Sequence, residues 1–316
     1  MKVLVTGAAG FIGSHLCEAL LRGGCDVTGV DNFDPYYERS AKERNLAAAM
    51  EKNSFSFVEL DLRDAAATTS LMAQGWDCVV HLAGRGGVRR SIAEPRAYLD
   101  VNYGATLNVL EGMREGGAKR LVFASTSSVY GNSPKALFRE DDSTDRPVSP
   151  YSATKKACEV LCHTYHHLFG LNVYVLRFFT VYGPRQRPDM AIHQFVRAIS
   201  QRRPIQRFGD GSTHRDYTYV DDIVAGVVQA VHRVDGYEII NIGGAHTTTL
   251  ADLIQTIERL LGEEARIEQQ PVPPGDVFRT EADNAKARRL LDFEPKVGLE
   301  EGLRAFIQWY QKEQNL

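Results

Sequence analysis

A tyrosine and a lysine lie four residues apart in the stretch PYSATK, residues 150–155. This spacing places Tyr151 and Lys155 on one face of a helix, and the leading proline suits a first helical turn. A phenol has an unperturbed pKa of about 10, so it is a useful base near neutral pH only when a cation stabilises its phenolate. The pair therefore predicts a general base, Tyr151, with Lys155 as its electrostatic partner.

A second candidate for chemistry is the hydroxyl-rich stretch STSSVYG, residues 125–131, which directly follows the apolar run Leu121–Ala124. Serine and threonine are common where a strand ends, because their side chains bond to nearby backbone groups. A polar turn would thus explain the stretch without any catalysis. These residues alone leave both interpretations open.

The elements that must position such groups begin with a strand over Lys2–Thr6, the loop GAAGFIG at residues 7–13, and a helix over Ser14–Arg22. Glycine lets the backbone approach a diphosphate closely, and the N–H groups of a helix N-terminus favour an anion. The second strand ends in Asp31, whose carboxylate can accept from a ribose diol and would repel a 2′-phosphate, which favours NAD over NADP. Asp61, after the third strand, is a candidate for the adenine amino group or an ordinary surface aspartate.

Short apolar runs alternate with helix-like stretches along the first 180 residues. The runs are Val3–Val5, Val27–Val30, Phe55–Leu60, Cys78–Leu82, Leu121–Ala124 and Val173–Phe178. Repeated strand-helix units predict an α/β fold with a Rossmann-like, doubly wound parallel sheet that is covered on both faces. Proline and arginine become frequent after about residue 180. We therefore expect an NAD-binding domain over residues 1–180 and a smaller C-terminal α/β substrate-binding part over 181–316, with an interleaved boundary.

The composition is that of an ordinary globular chain and argues against several classes of partner. The 316 residues are 43% hydrophobic and 24% charged, with a formal net charge of -3. No block of basic residues indicates nucleic acid, and no charged leader or long apolar span indicates secretion or a membrane. The five cysteines have no CxxC spacing, which favours a cytoplasmic protein without disulfides or zinc. His163 and His167 have metal-ligand spacing, but the glutamate of a zinc protease motif is absent, so no metal is expected.

The chain resembles the extended short-chain dehydrogenases/reductases, and among them the NAD-dependent nucleotide-sugar epimerases, over nearly its whole length. The resemblance rests on the segments TGAAGFIGSH, VDN, HLAG, FASTSSVYG, SPYSATKKACE, RFFTVYGPRQRPDM, RDYTYVDDIV and NIGG. The sixth segment looks most like that of the UDP-glucuronate 4-epimerases, since UDP-glucose enzymes usually carry asparagine where this chain has Thr180. The loop GRGGVRRS, residues 84–91, departs from the Ala-Ala-rich form that is usual in the family.

The resemblance implies a set of catalytic and binding residues. Tyr151 would be the base, Lys155 its partner, and Thr126 the hydroxyl beside the reacting sugar oxygen. The implied NAD contacts are Gly7, Gly10, Phe11, Ile12, Gly13, Asp31, Asn32, Asp61, Leu62, Leu82, Ala83, Gly84, Asn102, Ser125, Tyr151, Lys155 and Phe178. The implied UDP-sugar contacts are Arg89, Thr126, Ser127, Ser128, Thr180, Arg187, Gln206, Phe208, Arg215 and Arg279.

The activity that the resemblance implies is redox-neutral epimerisation of a UDP-sugar at carbon 4, through a 4-keto intermediate and with tightly bound NAD. Relatives that dehydrate or decarboxylate the sugar carry acidic residues after the catalytic threonine, where this chain has Ser127 and Ser128. A carboxyl group there would promote elimination from a 4-keto sugar, so the neutral serines argue against a 4,6-dehydratase. Together with Thr126 and Thr180, they can instead donate to a sugar carboxylate, which favours UDP-glucuronate. A UDP-glucose 4-epimerase, a net dehydrogenase or reductase of this fold, and a non-catalytic NAD-binding protein remain alternatives.

An apolar stripe bears on the oligomeric state. Ala153, Ala157, Val160, Leu161 and Leu168 share one side of the helix that carries the tyrosine-lysine pair. In the family this helix commonly pairs across a dimer interface, so the resemblance implies a homodimer. A stripe buried within the chain would give the same pattern.

Overall fold

The computed structural model describes residues 1–244, 246–272 and 277–314. The strands within these ranges are β1 (Lys2–Thr6), β2 (Asp26–Asp31), β3 (Phe55–Glu59), β4 (Cys78–His81), β5 (Arg120–Thr126), β6 (Asn172–Phe178), β7 (Thr180–Tyr182), β8 (Ile205–Phe208), β9 (His214–Tyr219), β10 (Tyr237–Ile242), β11 (Thr247–Thr249) and β12 (Ile267–Gln270). Seven of them form one parallel sheet in the order β10-β6-β5-β4-β1-β2-β3.

Helices connect these strands and cover the sheet. The α-helices in the same ranges are α1 (Phe11–Arg22), α2 (Arg39–Met50), α3 (Ala65–Met72), α4 (Val88–Ala93), α5 (Pro95–Tyr98), α6 (Ala105–Gly116), α7 (Pro150–Phe169), α8 (Ala191–Ser200), α9 (Val220–Arg233), α10 (Leu250–Leu261), α11 (Ala285–Leu291) and α12 (Leu299–Glu313). A short π-helical segment, Leu99–Gly104, precedes α6, and a 3-10 turn, Ser127–Tyr130, follows β5.

The sheet has apolar cover on both faces, which confirms the predicted α/β doubly wound architecture. One buried cluster lies on the side of α1 and α9 and includes Leu16 and Val227. The other lies on the side of α6 and α7 and includes Val109 and Cys162. Each of the six apolar runs of the first 180 residues falls on one of the strands β1 to β6.

The strand order fixes where a ligand can enter. The chain proceeds from β1 to β2 and β3 on one side and from β4 to β5 and β6 on the other. The loops after β1 and β4 therefore diverge, and the carboxyl ends of these two strands form the crevice in which such sheets bind ligands. This edge carries the loop at residues 7–13, the loop after β4 and the hydroxyl-rich turn after β5.

The chain after residue 180 contributes to two places. Strands β7, β9 and β11 form a small mixed sheet, and β8 pairs with β12. Strand β10, however, pairs with β6 at the edge of the main sheet, and α9 packs against α1. The division into residues 1–180 and 181–316 thus stays a prediction about binding roles. None of the helices in the described ranges is both long and apolar enough to cross a membrane.

Candidate active site

The turn between β1 and α1 is built for close approach. Gly7 has a φ of +72°, and a Cβ there would lie 2.8 Å from the backbone nitrogen of Ala83. A Cβ on Gly13 would overlap the carbonyl oxygen of Gly7. Gly10, the residue before α1, gives the helix no side-chain cap. The first N–H groups of α1 are therefore left for a ligand, and a diphosphate matches them in charge.

A pocket runs from this turn along the carboxyl ends of the central strands. Sixteen of the seventeen residues predicted to contact NAD line it, namely Gly7, Gly10, Phe11, Ile12, Gly13, Asp31, Asn32, Asp61, Leu62, Leu82, Ala83, Gly84, Ser125, Tyr151, Lys155 and Phe178. The exception is Asn102, whose side-chain amide accepts from the backbone N–H of Arg85 at 2.8 Å and donates to Thr154 at 3.1 Å. Asn102 thus acts on the loop after β4 and on α7 rather than on the pocket surface.

Asp31 lies at the end of β2 with its carboxylate nearly buried. It accepts from the backbone N–H of Phe33 at 2.8 Å and of Ala9 at 3.2 Å. Burial raises the pKa of Asp31, while the charge of Lys42, 3.9 Å away, and the two N–H groups oppose that rise. Lys42 is itself buried and donates to the carbonyl of Asp34 at 2.8 Å.

Asp61 is held at the rim of the same pocket. Arg63 bonds to its carboxylate, and the Asn32 amide donates to it at 3.1 Å. The Arg63 hydrogen bonds lower the pKa of Asp61 to about 2. Asp61 is therefore an ionised acceptor at neutral pH, whether or not it meets an adenine amino group.

Helix α7 carries Tyr151 and Lys155 into the pocket. Ser149 and Ser152 form a reciprocal capping box, and Pro150 occupies the first turn, so the helix start is fixed one residue before Tyr151. Tyr151 lies beside Thr126, the last residue of β5, close enough for that hydroxyl to act on the pKa of the phenol. Burial raises the pKa of Tyr151, and the Thr126 hydroxyl and the charge of Arg187 lower it.

Lys155 supplies the cation of the site. Its side chain is 6% exposed and its ammonium lies 4.5 Å from the centre of the Phe123 ring. Burial lowers the pKa of Lys155, since the charged form loses its hydration. A buried ammonium gains from any nearby anion, and a phenolate on Tyr151 is such an anion.

The hydroxyl-rich turn continues directly from Thr126. Thr126 accepts from the backbone N–H of Ser128 at 3.2 Å, so it caps the turn as well as meeting Tyr151. The side chain of Ser127 is buried, and that of Ser128 accepts from Thr126 at 3.2 Å. Both interpretations of the stretch thus hold for Thr126, which closes the strand and joins the tyrosine.

The remaining residues predicted to contact the UDP-sugar lie in two groups. Arg89 stacks on Phe208, with its guanidinium 3.7 Å from the ring centre, and Gln206 lies on the same strand. The backbone of Arg279 forms an isolated β-bridge with that of His214, the neighbour of Arg215. The Arg279 guanidinium forms an ion pair with Glu281. The buried Nε of Arg279 has no hydrogen-bond partner among the described residues.

Thr180 and Arg187 approach from the chain after β6. Thr180 opens β7, where it pairs with Tyr217. Arg187, predicted to meet the diphosphate or uridine, lines the same pocket as Tyr151 and pairs with Asp189 at 2.9 Å. The structure therefore brings Arg187 to the tyrosine end of the pocket, close enough to act on the pKa of Tyr151.

Sequence reasoning missed the segment at residues 33–42. The Tyr36 hydroxyl donates to the carbonyl of Gly86 at 2.8 Å and to Asp189 at 3.3 Å, so this side chain joins three loops over the pocket. Arg85 forms an ion pair with Asp34 at 2.9 Å in the same place. The aromatic and charged stretch DNFDPYYERSAK, directly after a nucleotide-binding strand, was the available signal.

The histidines of α7 have an aromatic environment. The rings of His163 and His166 lie 5.0 and 5.7 Å from that of Tyr237, between centres. His166 also bonds through Nδ1 to the carbonyl oxygen of Leu171 at 2.7 Å. Within the described ranges, no group of three or more His, Cys, Asp or Glu side chains is placed to hold a metal ion.

These features define a nucleotide-binding protein with acid-base groups in its pocket. They are the Rossmann-type sheet, the glycine turn at the uncapped start of α1, and the set of Tyr151, Lys155 and Thr126. Residues 3–243 match the model of the NAD dependent epimerase/dehydratase family. The chain belongs to this family.

Similar proteins of known or assigned activity cover the whole chain. A UDP-glucuronate 4-epimerase from Thermodesulfobacterium geofontis (strain OPF15) is 45% identical over 97% of this chain and 95% of its own length. The crystal structure of the Bacillus cereus UDP-glucuronic acid 4-epimerase, in complex with UDP-glucuronic acid and NAD, superposes with a TM-score of 0.95 at 39% identity, over 99% of this chain and 100% of that one. A dTDP-glucose 4,6-dehydratase from Streptomyces venezuelae reaches 0.94 at 30% identity, over 100% and 98%. The fold thus serves more than one reaction, and individual residues must select between them.

Proposed function

We propose that this protein is a UDP-glucuronate 4-epimerase that uses tightly bound NAD to interconvert UDP-glucuronate and UDP-galacturonate. One observation carries the proposal. Tyr151 and Lys155 line the same pocket as the glycine turn, Thr126 lies beside Tyr151, and a turn of neutral hydroxyls follows Thr126. The identity to UDP-glucuronate 4-epimerases over the full chain supports the same assignment.

The residues present fit NAD. The glycine turn leaves no room for a Cβ and opens the N-terminus of α1 to the diphosphate, and Asp31 is an acceptor for a ribose diol. Tyr37 lines the same region, and its buried hydroxyl has no partner among the described residues, so a ligand there would satisfy it. When bound, NAD supplies the acceptor and donor of hydride for carbon 4 of the sugar.

Tyr151 performs the proton transfers. It takes the proton of the sugar 4-hydroxyl as the 4-keto intermediate forms, and returns it when the ketone is reduced on its other face. Lys155 stabilises the phenolate in the interval, and Thr126 places a second hydroxyl beside the phenol, where it can meet the reacting oxygen. The protein must therefore grip the nucleotide while it leaves the sugar room to rotate.

The neutral turn suits a substrate with a carboxylate. Oxidation of a glucuronate at carbon 4 creates a β-keto acid, which loses carbon dioxide readily. Ser127, Ser128 and Thr180 offer hydroxyl donors to that carboxylate, and Arg187 brings a cation to the same end of the pocket. None of the residues of the Ser127–Tyr130 turn is acidic, so the turn itself provides no base for elimination.

The nucleotide would lie against the part of the site that is built after residue 180. Phe208 offers a ring face and Gln206 an amide to the uracil, while Arg89, Arg215 and Arg279 offer charge to the diphosphate. The buried Nε of Arg279 lacks a partner among the described residues, which a phosphate oxygen would provide.

We also propose a cytoplasmic homodimer that pairs through α7. Three residues of the apolar stripe are exposed, namely Ala153, Val160 at 55% and Leu168 at 61%, while Ala157 is partly buried and Leu161 packs against the core below α7. An apolar helix face that stays this open supports pairing with a second copy. All five cysteines are buried and free of disulfides, which supports a reducing compartment.

Product analysis tests the function. Purified protein is incubated without added NAD, in one arm with UDP-glucuronate and in the other with UDP-glucose, and the sugars formed are identified by NMR. We expect UDP-galacturonate in the first arm. Conversion of UDP-glucose alone would select a UDP-glucose 4-epimerase, and no conversion in either arm would favour a non-catalytic role.

The base is tested by substitution. Tyr151→Phe should reduce kcat by about 10²- to 10⁴-fold, the range expected for loss of acid-base catalysis, while the bound NAD is retained. Tyr310→Phe is the matched control, because Tyr310 is buried on α12 and its hydroxyl has no partner among the described residues. Equal activity of Tyr151→Phe and wild type would overturn the assignment of Tyr151.

A further inference from the structure

A buried ion pair lies directly behind the catalytic residues. Arg177 on β6 and Glu159 on α7 are each 1% exposed. The pair is bidentate, with Nε to Oε1 at 2.9 Å and Nη2 to Oε2 at 2.8 Å. Burial raises the pKa of Glu159, but the hydrogen bonds and charge of Arg177 outweigh burial, and the pKa is lowered overall. The pair is therefore ionised.

Glu159 bonds the catalytic helix to the central sheet. Tyr151, Lys155 and Glu159 follow one another at intervals of four residues, so all three lie on one face of α7. Glu159 also accepts from the hydroxyl of Ser125 at 2.6 Å, and Ser125 is the neighbour of Thr126 on β5. One carboxylate thus fixes α7 to the end of the strand that carries the catalytic threonine.

Arg177 extends the connection to the hydroxyl-rich turn. Its Nη1 donates to the hydroxyl of Tyr130 at 2.9 Å, and Tyr130 is the last residue of the Ser127–Tyr130 turn. Tyr130 in turn donates to Asn241 at 2.7 Å. Ser125, Arg177 and Asn241 are direct cross-strand neighbours on β5, β6 and β10. A single guanidinium therefore joins the helix of the general base to the turn that follows the threonine.

Stability alone is a poor reason for such a pair, because an apolar replacement of a buried ion pair is often equally stable or more so. Its geometry has a chemical consequence instead. From the 4-keto intermediate, decarboxylation breaks the bond between carbons 5 and 6, releases carbon dioxide, and leaves the electron pair as an enolate with carbon 4. Carbon 5 of the enolate then takes a proton from water. The step consumes no oxidant or reductant. Decarboxylation is favoured when the breaking bond between carbons 5 and 6 can align with the π orbitals of the carbon 4 ketone.

We propose that Arg177 and Glu159 are positioning residues that hold the Tyr151 helix in register with the Thr126–Ser128 turn, and that this register sets the partition of the 4-keto intermediate between epimerisation and decarboxylation. The proposal rests on the function proposed above. Neither residue needs to touch the substrate. The pair acts through Ser125 on one side and Tyr130 on the other.

Two variants test the proposal at different strengths. Tyr130→Phe removes one hydroxyl and leaves the ion pair intact, so it should fold and raise the ratio of decarboxylated product to UDP-galacturonate by about 5-fold, the factor of one hydrogen bond. Glu159→Gln removes the charge and should reduce kcat by about 10²-fold, as expected for a misplacement near 1 Å, with a much smaller change in KM. Tyr182→Phe is the control, because it removes an equally buried hydroxyl that bonds to the carbonyls of Gly298 and Leu299.

The measurements separate positioning from stability. Product ratio, kcat, KM, bound NAD and thermal midpoint are recorded for each variant. The tyrosinate absorbance of Tyr151, taken as the difference from Tyr151→Phe, gives a readout that needs no substrate. Its titration midpoint should shift in Glu159→Gln and in Tyr130→Phe, because the contact of Tyr151 with Thr126, which lowers the pKa of Tyr151, changes with the register.

The outcomes distinguish a positioning role of the ion pair from a purely structural one. Lower thermal midpoints with unchanged product ratio and unchanged tyrosinate midpoint, as expected for Tyr182→Phe, would show that the pair is only structural. Should Glu159→Gln fail to fold, the product ratio of Tyr130→Phe decides. If the wild type does not convert UDP-glucuronate, the proposed function fails, and the tyrosinate midpoint of Tyr130→Phe and Glu159→Gln then upholds or overturns the positioning role by itself.

Discussion

The protein should lose stability in mild acid because of one buried histidine. The Thr106 hydroxyl donates to the Asn102 carbonyl at 2.5 Å, so Nε2 of His81, 3.0 Å from Thr106, must be the donor in that contact. Nδ1 therefore accepts from Thr6 at 2.7 Å, and Thr6 itself accepts from the backbone N–H of Ala83. The neutral ring satisfies every partner, whereas a second proton, on Nδ1, would point at the Thr6 hydroxyl and displace the proton that Thr6 donates there.

The magnitude follows from the pKa of the ring. Burial, with a further contribution from the charge of Lys155, lowers the pKa of His81 from 6.5 to about 3. Between these values the unfolded chain binds a proton that the folded protein excludes, so the free energy of unfolding falls as the pH falls through 6.5 and levels off only near 3. The whole difference is worth about 5 kcal/mol, of which about 2 kcal/mol is lost between pH 7 and pH 5.

The assay is urea unfolding of the holoenzyme at pH 7 and pH 5, for the wild type and for His81→Gln. The variant should be less stable at both values, but its decrease between them should be smaller by about 2 kcal/mol. His163→Gln, at an exposed position on α7, should keep the full decrease. An equal decrease in His81→Gln and wild type would refute the reasoning, because the acid sensitivity would then come from other groups.

Two further predictions concern the cofactor turn and the proposed dimer. Gly13→Ala should abolish bound NAD and destabilise the fold by about 3 kcal/mol, because the new Cβ overlaps backbone that has no room to move. Gly23→Ala is the control. A Cβ there would lie 3.4 Å from the nearest atom, so stability should change by less than about 1 kcal/mol. Urea unfolding and NAD content measure both, and NAD retained in Gly13→Ala would contradict the first. Val160→Glu should give a monomer by light scattering with an unchanged fold, whereas Met50→Glu, at a site 59% exposed on α2, should remain dimeric; a dimeric Val160→Glu would contradict pairing through α7.

The central fold was predictable because its signals are local. The apolar runs predict β1 to β6. The glycine loop predicts the turn before α1, because strand, loop and helix follow one another directly in this stretch. The Tyr151 and Lys155 spacing predicts one helix face, and the structure places both in the pocket. Each of these signals depends on neighbours within a few residues, where pattern and structure are tightly linked.

The missed parts depend on contacts that no local pattern carries. Tyr36 reaches Gly86 and Asp189, which are 50 and 153 residues away in sequence. Arg177 interrupts the apolar run Val173–Phe178, which was a visible conflict, but nothing near it identifies Glu159 as its partner. Tertiary packing alone decides such pairings.

The ion pair and the neutral turn solve one chemical problem in two ways. A 4-keto sugar has an acidic hydrogen on carbon 5, so any free carboxylate near it can act as a base. The turn contributes none, because Ser127 and Ser128 are neutral. Glu159 is the carboxylate that bonds to the pocket wall through the Ser125 hydroxyl, and its pairing with Arg177 lowers its basicity. If Glu159 orients the catalytic helix as proposed, its pairing with Arg177 also keeps this carboxylate from acting on the substrate.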